Sequence, residues 1–318
     1  KNTTTFKPFV SKFRQVLAHK ISDSYEQFDT ETQKLLCESF AYLHLIKIHT
    51  ASSQDEALAH HKSFHDENWR IGMFSILCQF KPIIELCGEI LDLEQDRELG
   101  SLINSLKCDN IYKADEKVAE FSLARLKLDM NSPLTLWEIP RRLNLLIDLL
   151  SAFICLPTPN AIRVPFGTCV NICEALLSMT RNYLPLRRDL RRDSQLTSVI
   201  NQVIPQIQYS GIRLLSKIVD GYGKSCLSLL PSILGSLELF IPLKPKSTNI
   251  DFEKCSVLKK EFLSLFKTVN LLFPHMGHQF HEIDLFTKLT DVALYLSEDI
   301  SLADLLFNKQ QTETKNNL

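Results

Sequence analysis

Glycine is scarce in this chain, nine residues in 318, and no stretch keeps strict apolar–polar alternation over a useful length. Sheet proteins need many tight turns, and glycine supplies much of that chemistry, so the composition argues against a β-rich fold. An excess of either charge is lacking too. Lys and Arg number 36 against 37 Asp and Glu, a net charge of -1, so no global field draws the protein to nucleic acid or an anionic membrane. Any such binding must come from a local patch. The longest apolar run of the central stretch, Leu145 to Leu156, carries Asp148 and falls short of the about 20 residues that a spanning helix needs. No signal peptide is visible, and the expectation is a chain not inserted in a membrane. The nine cysteines, odd in number, form no C-x-x-C pair. Scattered through apolar helical patterns, they read as buried thiols in a reducing compartment, cytosol or nucleus.

What the chain does have is proline, 13 residues, set between amphipathic stretches. From Pro8 the apolar positions Phe9, Phe13, Val16, Leu17 and Ile21 recur at three and four, the period of a helix. A second helix is predicted from about Asp29 and Thr30 to His49, with Thr30 and Gln33 at capping-box spacing. A third runs from Asp55 through Trp69 and Phe80, with Pro82 bending or restarting it before Ile83 to Leu91. Glu94 to Met130 is weaker, one short periodic piece around Leu99 to Leu106 followed by a charged mixture, and reads as a connection and internal boundary.

The densest helix follows. Ser132 is the expected N-cap and Pro133 the first helical residue; Pro140 is expected to force a break before a central helix over Arg141 to Leu156. On a 3.6-residue wheel only Asn144, Asp148, Ser151 and Cys155 remain as a thin polar stripe, so this helix should lie inside a stack of others. Further helices are predicted from Pro165 to Leu177, Ser194 to Val219 with Pro205 inside and left-handed caps at Gly221 and Gly223, Ser225 to Ile241 interrupted at Pro231, Asp251 to Phe273, Gln279 to Leu296 and Ile300 to Phe307. The stretch PLKPKSTN reads as flexible. The fold class is all-α, an armadillo- or HEAT-like helical-repeat solenoid, with a globin-like irregular bundle as the alternative. The expected organisation is helical hairpins over 1–93, a partly mobile connection over 94–130, the main repeat region over 131–308 and a polar tail over 309–318.

Catalytic and ligand motifs fail on inspection. Gly221-Tyr222-Gly223-Lys224-Ser225 ends like a phosphate-binding loop, but Ile218 stands where the first glycine belongs and a helix precedes it instead of a strand. His61 and His65 have i, i+4 spacing beside His60, yet Lys62 replaces the glutamate of a zinc hydrolase, and a solvated face is the better reading. His275, His278 and His281 step by three around a helix break and read as a loop or partner surface. Cys169 and Cys173, four apart, supply half of a metal site at most, and burial of both is expected. No G-x-S-x-G elbow is present. These residues point to no catalytic group, metal or cofactor.

The strongest local feature is cationic. Arg181, Arg187, Arg188, Arg191 and Arg192 fall within a dozen residues, relieved only by Asp189 and Asp193, with Arg141, Arg142 and Arg163 flanking the same stretch. The planar guanidinium suits phosphates and carboxylates, so the cluster could hold an RNA backbone or an acidic protein segment. A solvated helix start with local Arg–Asp pairs is an equal reading.

Long strings then carry a family likeness: KNTTTFKPF, LLCESFAYLHLIKIH, NWRIGMFSILCQFKPIIELCGEILDLEQD, PLTLWEIPRRLNLLIDLLSAFICLPTPNAIRVPFGTCVNICEALL, VINQVIPQIQYSGIRLL and SLELFIPLK. In this order they resemble the pre-rRNA-processing scaffold subunit of the fungal Rix complex, a relative of the animal proline-, glutamic acid- and leucine-rich protein. The resemblance implies the middle of a longer polypeptide, which the opening at Lys1 and the terminal KQQTETKNNL also suggest. It implies a non-enzymatic nuclear scaffold, in nucleoplasm and nucleolus, for large ribosomal subunit maturation and internal spacer processing. The implied partners are a β-propeller subunit, a second helical-repeat subunit, a midasin-type AAA+ ATPase and the large-subunit pre-ribosome. Direct rRNA contact and a homodimer are compatible with it. The rival readings are a general helical-repeat adaptor or transport receptor, and an enzyme whose site lies between distant helices and shows a deep polar pocket with strongly shifted titratable groups.

Overall fold

The structure, a computed structural model, describes residues 7–46, 68–106, 121, 123–159, 161–276 and 283–298. Among them the chain forms helices α1 (Val10–Ser24), α2 (Thr30–Leu43), α3 (68–77), α4 (Phe80–Leu86), α5 (Arg97–Ser105), α6 (Glu138–Cys155) and α7 (Phe166–Leu177). After these come α8 (Ser194–Tyr222), α9 (Leu230–Glu238), α10 (Phe252–Val257), α11 (Lys259–Met276) and α12 (Ile283–Ser297). No strand occurs among the described residues; extended pairing is limited to single bridges of Leu91 with Leu186 and Leu243 with Ile250. The helices lie in two rows. In one, α1 touches α2, α2 touches α6, α6 touches α8 and α8 touches α11; in the other, α4 touches α7, α7 touches α9 and α9 touches α12. Contacts of α4 with α6 and of α7 with α8 join the rows. Each element is covered by its neighbours, the arrangement of an all-α solenoid, and one apolar core runs from Val10 to Val292.

The central helix behaves as its composition demands. Leu143, Leu146, Ile147, Leu150, Phe153 and Ile154 are buried together with Leu145, Leu149 and Ala152, because α2, α4 and α8 close around it. Pro140 does not break it. The helix starts at Glu138, so Pro140 sits in the first turn, where its missing N–H costs no intrahelical bond. Ser132 does not cap by its side chain; Pro133 to Trp137 form a 3-10 turn that leads into α6. The N-cap of α2 is Asp29, accepting from Thr32 N at 3.2 Å, in place of the Thr30–Gln33 capping box. Gln33 instead donates to Tyr25 O at 3.0 Å.

Pro82 acts as expected. A turn at residues 78–79 separates α3 from α4, where the proline ring would meet the carbonyl four residues back and offers it no donor. By length and composition the stretch Asn68–Glu89 could cross a bilayer. Trp69, Met73, Ile76, Leu77, Phe80, Ile84 and Cys87 of that stretch are buried in the protein core, which accounts for its hydropathy. Residues 107–120 of the predicted connection lie outside the described residues, but its end is packed: Phe121 meets Phe40 at 5.4 Å between ring centroids, and Gln79 bonds Phe121 O at 3.3 Å and Leu123 N at 2.9 Å.

Gly223 is not a left-handed cap. Its φ is -46°, and α8 runs on to Tyr222 before a 3-10 segment, Gly223–Leu229, leads to α9. A Cβ there would collide with the ring of His275, so close approach of α11 is what glycine permits. PLKPKSTN is a closed hairpin-like turn: Lys244 N bonds Asn249 O at 2.9 Å, Ser247 N bonds Lys244 O at 3.1 Å and Asp251 N bonds Pro242 O at 2.9 Å. The predicted helical parts at 55–67, 279–282 and 300–307 lie outside the described residues.

Candidate partner surface

The arginine cluster occupies the link between α7 and α8, and its local order follows from three leucines. Leu184, Leu186 and Leu190 are buried, while Arg181, Arg187, Arg188, Arg191 and Arg192 are exposed. Two backbone bonds clip the link to the end of the α4 region, Asp92 N to Pro185 O at 2.9 Å and Arg187 N to Ile90 O at 3.1 Å. Arg188 to Arg192 form a 3-10 turn, and Arg191 donates its Nε to Leu186 O at 2.9 Å. The local Arg–Asp pairs of the alternative reading do not form among the described residues. Asp193 is the N-cap of α8, accepting from Gln195 N at 2.9 Å and Leu196 N at 3.0 Å, and among the described residues Asp189 joins no ion pair with these arginines. The backbone that carries these charged heads is already held, so a docking partner has only the side chains to order. Two of the flanking arginines are engaged elsewhere: Arg141 pairs with Glu138 at 2.7 Å and Glu26 at 3.6 Å, and Arg142 donates to Ala124 O at 3.1 Å.

The polar stripe of α6 lines a second feature, a groove of about 760 Å³ bounded by the α1–α2 turn, α6 and α8. At its floor Asp148 accepts from Tyr25 Oη at 2.9 Å and from Arg213 at 2.7 Å, while Arg213 also donates to Asn144 Oδ1 at 2.6 Å. Sequence spacing flagged Asn144 and Asp148 but not Tyr25 or Arg213, since only the fold brings α1 and α8 to the stripe. Burial, reinforced by Cys37 and Asp148, pushes the Tyr25 phenol above its ordinary value. Burial likewise pushes the Cys37 thiol up to about 12. Both groups stay protonated at neutral pH, the opposite of what an activated nucleophile or base requires. The network ties the turn after α1 to α6 and α8, and both carboxylate oxygens of Asp148 are spent within it.

The remaining sequence candidates stay apart. Gly221 to Ser225 form a helix end and 3-10 turn with no phosphate-cradling loop. Cys169 and Cys173 are buried in α7, their thiols raised by desolvation, Cys169 to about 12. No group of three or more His, Cys, Asp or Glu that could hold a metal occurs among the described residues. His60, His61, His65, His278 and His281 lie outside them.

Over 99% of its length the chain is 54% identical to the pre-rRNA-processing protein RIX1 of Saccharomyces cerevisiae strain S288c. The chain is homologous to RIX1. RIX1 of Candida glabrata is 45% identical over 99% of the chain, and that of Kluyveromyces lactis 46% over 94%. The chain spans about two-fifths of the length of these curated relatives, 42%, 40% and 38% respectively. A solved chain from the Rix1-subcomplex of the Rix1-Rea1 pre-60S particle matches with a TM-score of 0.76 and 49% identity, over 94% of this chain and 47% of that one. No protein-family model matches the chain.

Proposed function

We propose that this chain is the helical-repeat part of a non-enzymatic scaffold that works in pre-rRNA processing and large ribosomal subunit maturation. The observation that carries the reading is the 54% identity to RIX1 across 99% of the chain. The likeness to a chain of the Rix1-Rea1 pre-60S particle supports association with the large-subunit pre-ribosome and a midasin-type AAA+ ATPase, and with it action in the nucleus. A β-propeller subunit and a second helical-repeat subunit are the further proposed partners, on the family resemblance. The displayed arginines Arg187, Arg188, Arg191 and Arg192, with Arg181 beside them, are the proposed docking surface: exposed, held by backbone bonds and without carboxylate partners nearby in sequence.

The test is affinity purification of the full-length protein from cells, with identification of everything that co-purifies. Large-subunit precursors and their processing factors are expected; a collection of unrelated cargoes would replace this reading with a general adaptor. Reversing the four arginines at 187, 188, 191 and 192 to glutamate is expected to lower recovery of the propeller subunit or of pre-ribosomes. Unchanged recovery of both removes the arginine surface.

A further inference from the structure

A second cationic feature was not legible in the sequence. Between the 180–183 turn, α8 and the hairpin at 242–248 lies a cleft of about 740 Å³. Arg181, Lys244, Lys246 and Lys254 line it, and no carboxylate does. In a chain of net charge -1 that separation of sign is local and strong. The groove on α6, by contrast, mixes Glu26, Glu38 and Asp148 with its cations. Asp251, just outside the lining, pairs with Lys254 at 2.9 Å and lies within electrostatic reach of Lys244, and among the described residues Arg181 and Lys246 join no ion pair. Arg181 donates to Asn201 Oδ1, a neutral acceptor.

Two further observations narrow the ligand. Tyr183 lines the cleft with 62% of its surface exposed, an aromatic face open to solvent. Lys246 sits at the tip of the hairpin with φ 57°, the left-handed conformation that lysine rarely adopts and that persists only where the surrounding backbone imposes it. The hairpin bonds do so, and they fix the backbone of Lys246 where it lines the cleft. Cations tracking a phosphate chain beside an aromatic stacking platform are the elements of a single-stranded nucleic-acid site. An acidic peptide would engage the same cations, but a strand of bases also uses the open ring for stacking along its length.

We infer that this cleft binds single-stranded RNA, with Arg181, Lys244, Lys246 and Lys254 on phosphates and Tyr183 stacked on a base. The inference deepens the reading above and rests on it for the source of the RNA, a precursor of the large-subunit rRNA. The arginine turn that continues from Tyr183 offers further cations to a strand leaving the cleft.

The experiment measures fluorescence anisotropy of a labelled oligouridylate of about twelve nucleotides, within the site sizes of such folds, on the 318-residue chain over a series of potassium chloride concentrations. A polyglutamate peptide of equal charge serves as the second probe. Lys244→Gln, Lys246→Asn and Lys254→Gln together are expected to weaken oligouridylate binding at least tenfold and flatten the logarithmic salt slope by about 0.7 per lost phosphate contact. Asparagine at 246 tolerates the left-handed backbone, and circular dichroism verifies the fold. Tyr183→Ala is expected to weaken binding about tenfold and leave the slope unchanged. No saturable binding to the parent chain, variants that bind like the parent, or tighter binding of polyglutamate each overturn the assignment. If the parent chain fails to bind RNA while the full-length protein still co-purifies with large-subunit precursors, the cleft falls and the proposed function stands. Loss of oligouridylate binding in the variants supports the cleft whatever they co-purify with.

Discussion

His44 sets a stability dependence on pH that can be worked from its surroundings. It is the C-cap of α2, 3% exposed, and its Nδ1 lies 2.9 Å from Phe40 O, a carbonyl at the helix end where intrahelical donors run out. Arg14 serves the same end, donating to Leu43 O at 2.9 Å. The imidazole packs edge-on against Phe40 and Phe153, with ring centroids at 5.0 and 5.1 Å. Burial first, and then the charge of Arg14, lower its pKa from 6.5 to about 3. In the unfolded chain the ring takes up a proton as pH falls through about 6.5, while the folded protein resists until about 3. Proton binding in that window therefore favours unfolding: the contribution is fully present above 6.5 and is lost as pH falls toward 3. Between pH 7 and pH 5 the linkage integral gives a loss of about 2 kcal/mol from this one group. The measurement is urea unfolding at the two pH values in a Trp137→Phe background. That leaves Trp69 as the sole tryptophan, its ring 4.9 Å from that of Phe153. The His44→Phe protein keeps an apolar ring in the cluster and has nothing to titrate. It is expected to lose about 2 kcal/mol less than its parent over the same pH step. Equal losses would refute the argument, because they would mean that His44 titrates in the folded protein as it does in the unfolded chain.

Three other outcomes follow from packing. Gly72→Ala places a Cβ 2.6 Å from His44 Cδ2 and 2.8 Å from Phe153 Cε1, and overpacking of about 1–3 kcal/mol should exceed the roughly 1 kcal/mol gained in helix propensity; a higher Tm for the variant would contradict this. Asp148→Ala leaves the Arg213 guanidinium with Asn144 alone and removes the acceptor of Tyr25 Oη. A loss of about 1.5–3 kcal/mol is expected for hydrogen bonds to a charged group, and denaturant unfolding that shows no change would remove the network from the account of how α1, α6 and α8 cohere. Alkylation of the native protein should modify Cys155, exposed, before Cys169, Cys173 and Cys255, which are buried; mass spectrometry showing the buried thiols labelled first would contradict the packing of α7 and α10.

The period of the apolar residues and the placing of prolines settled the class of fold. A helix as apolar as residues 141–156 has to be enclosed, and helices without strands can enclose it only by packing, so an all-α class followed from the sequence alone; the two rows of helices then decide for the solenoid over an irregular bundle. Long strings shared with a known family settled the likeness to RIX1. Helix ends were less legible, because Pro140 can end one helix or begin another and only the start of α6 at Glu138 decides between them. The arginines were visible because they are adjacent in sequence; that they lack local carboxylate partners was not, since Asp193 reads as a counter-ion until it is seen capping α8. Features built from distant segments stayed out of reach. Tyr25, Asp148 and Arg213 come from three helical regions, and Arg181 and Lys246 meet across a cleft although 65 positions separate them in the chain. Periodicity reports which face of an element is buried, a local property, whereas which charges share a cavity depends on how the stacked rows register against one another, and only the packed core fixes that.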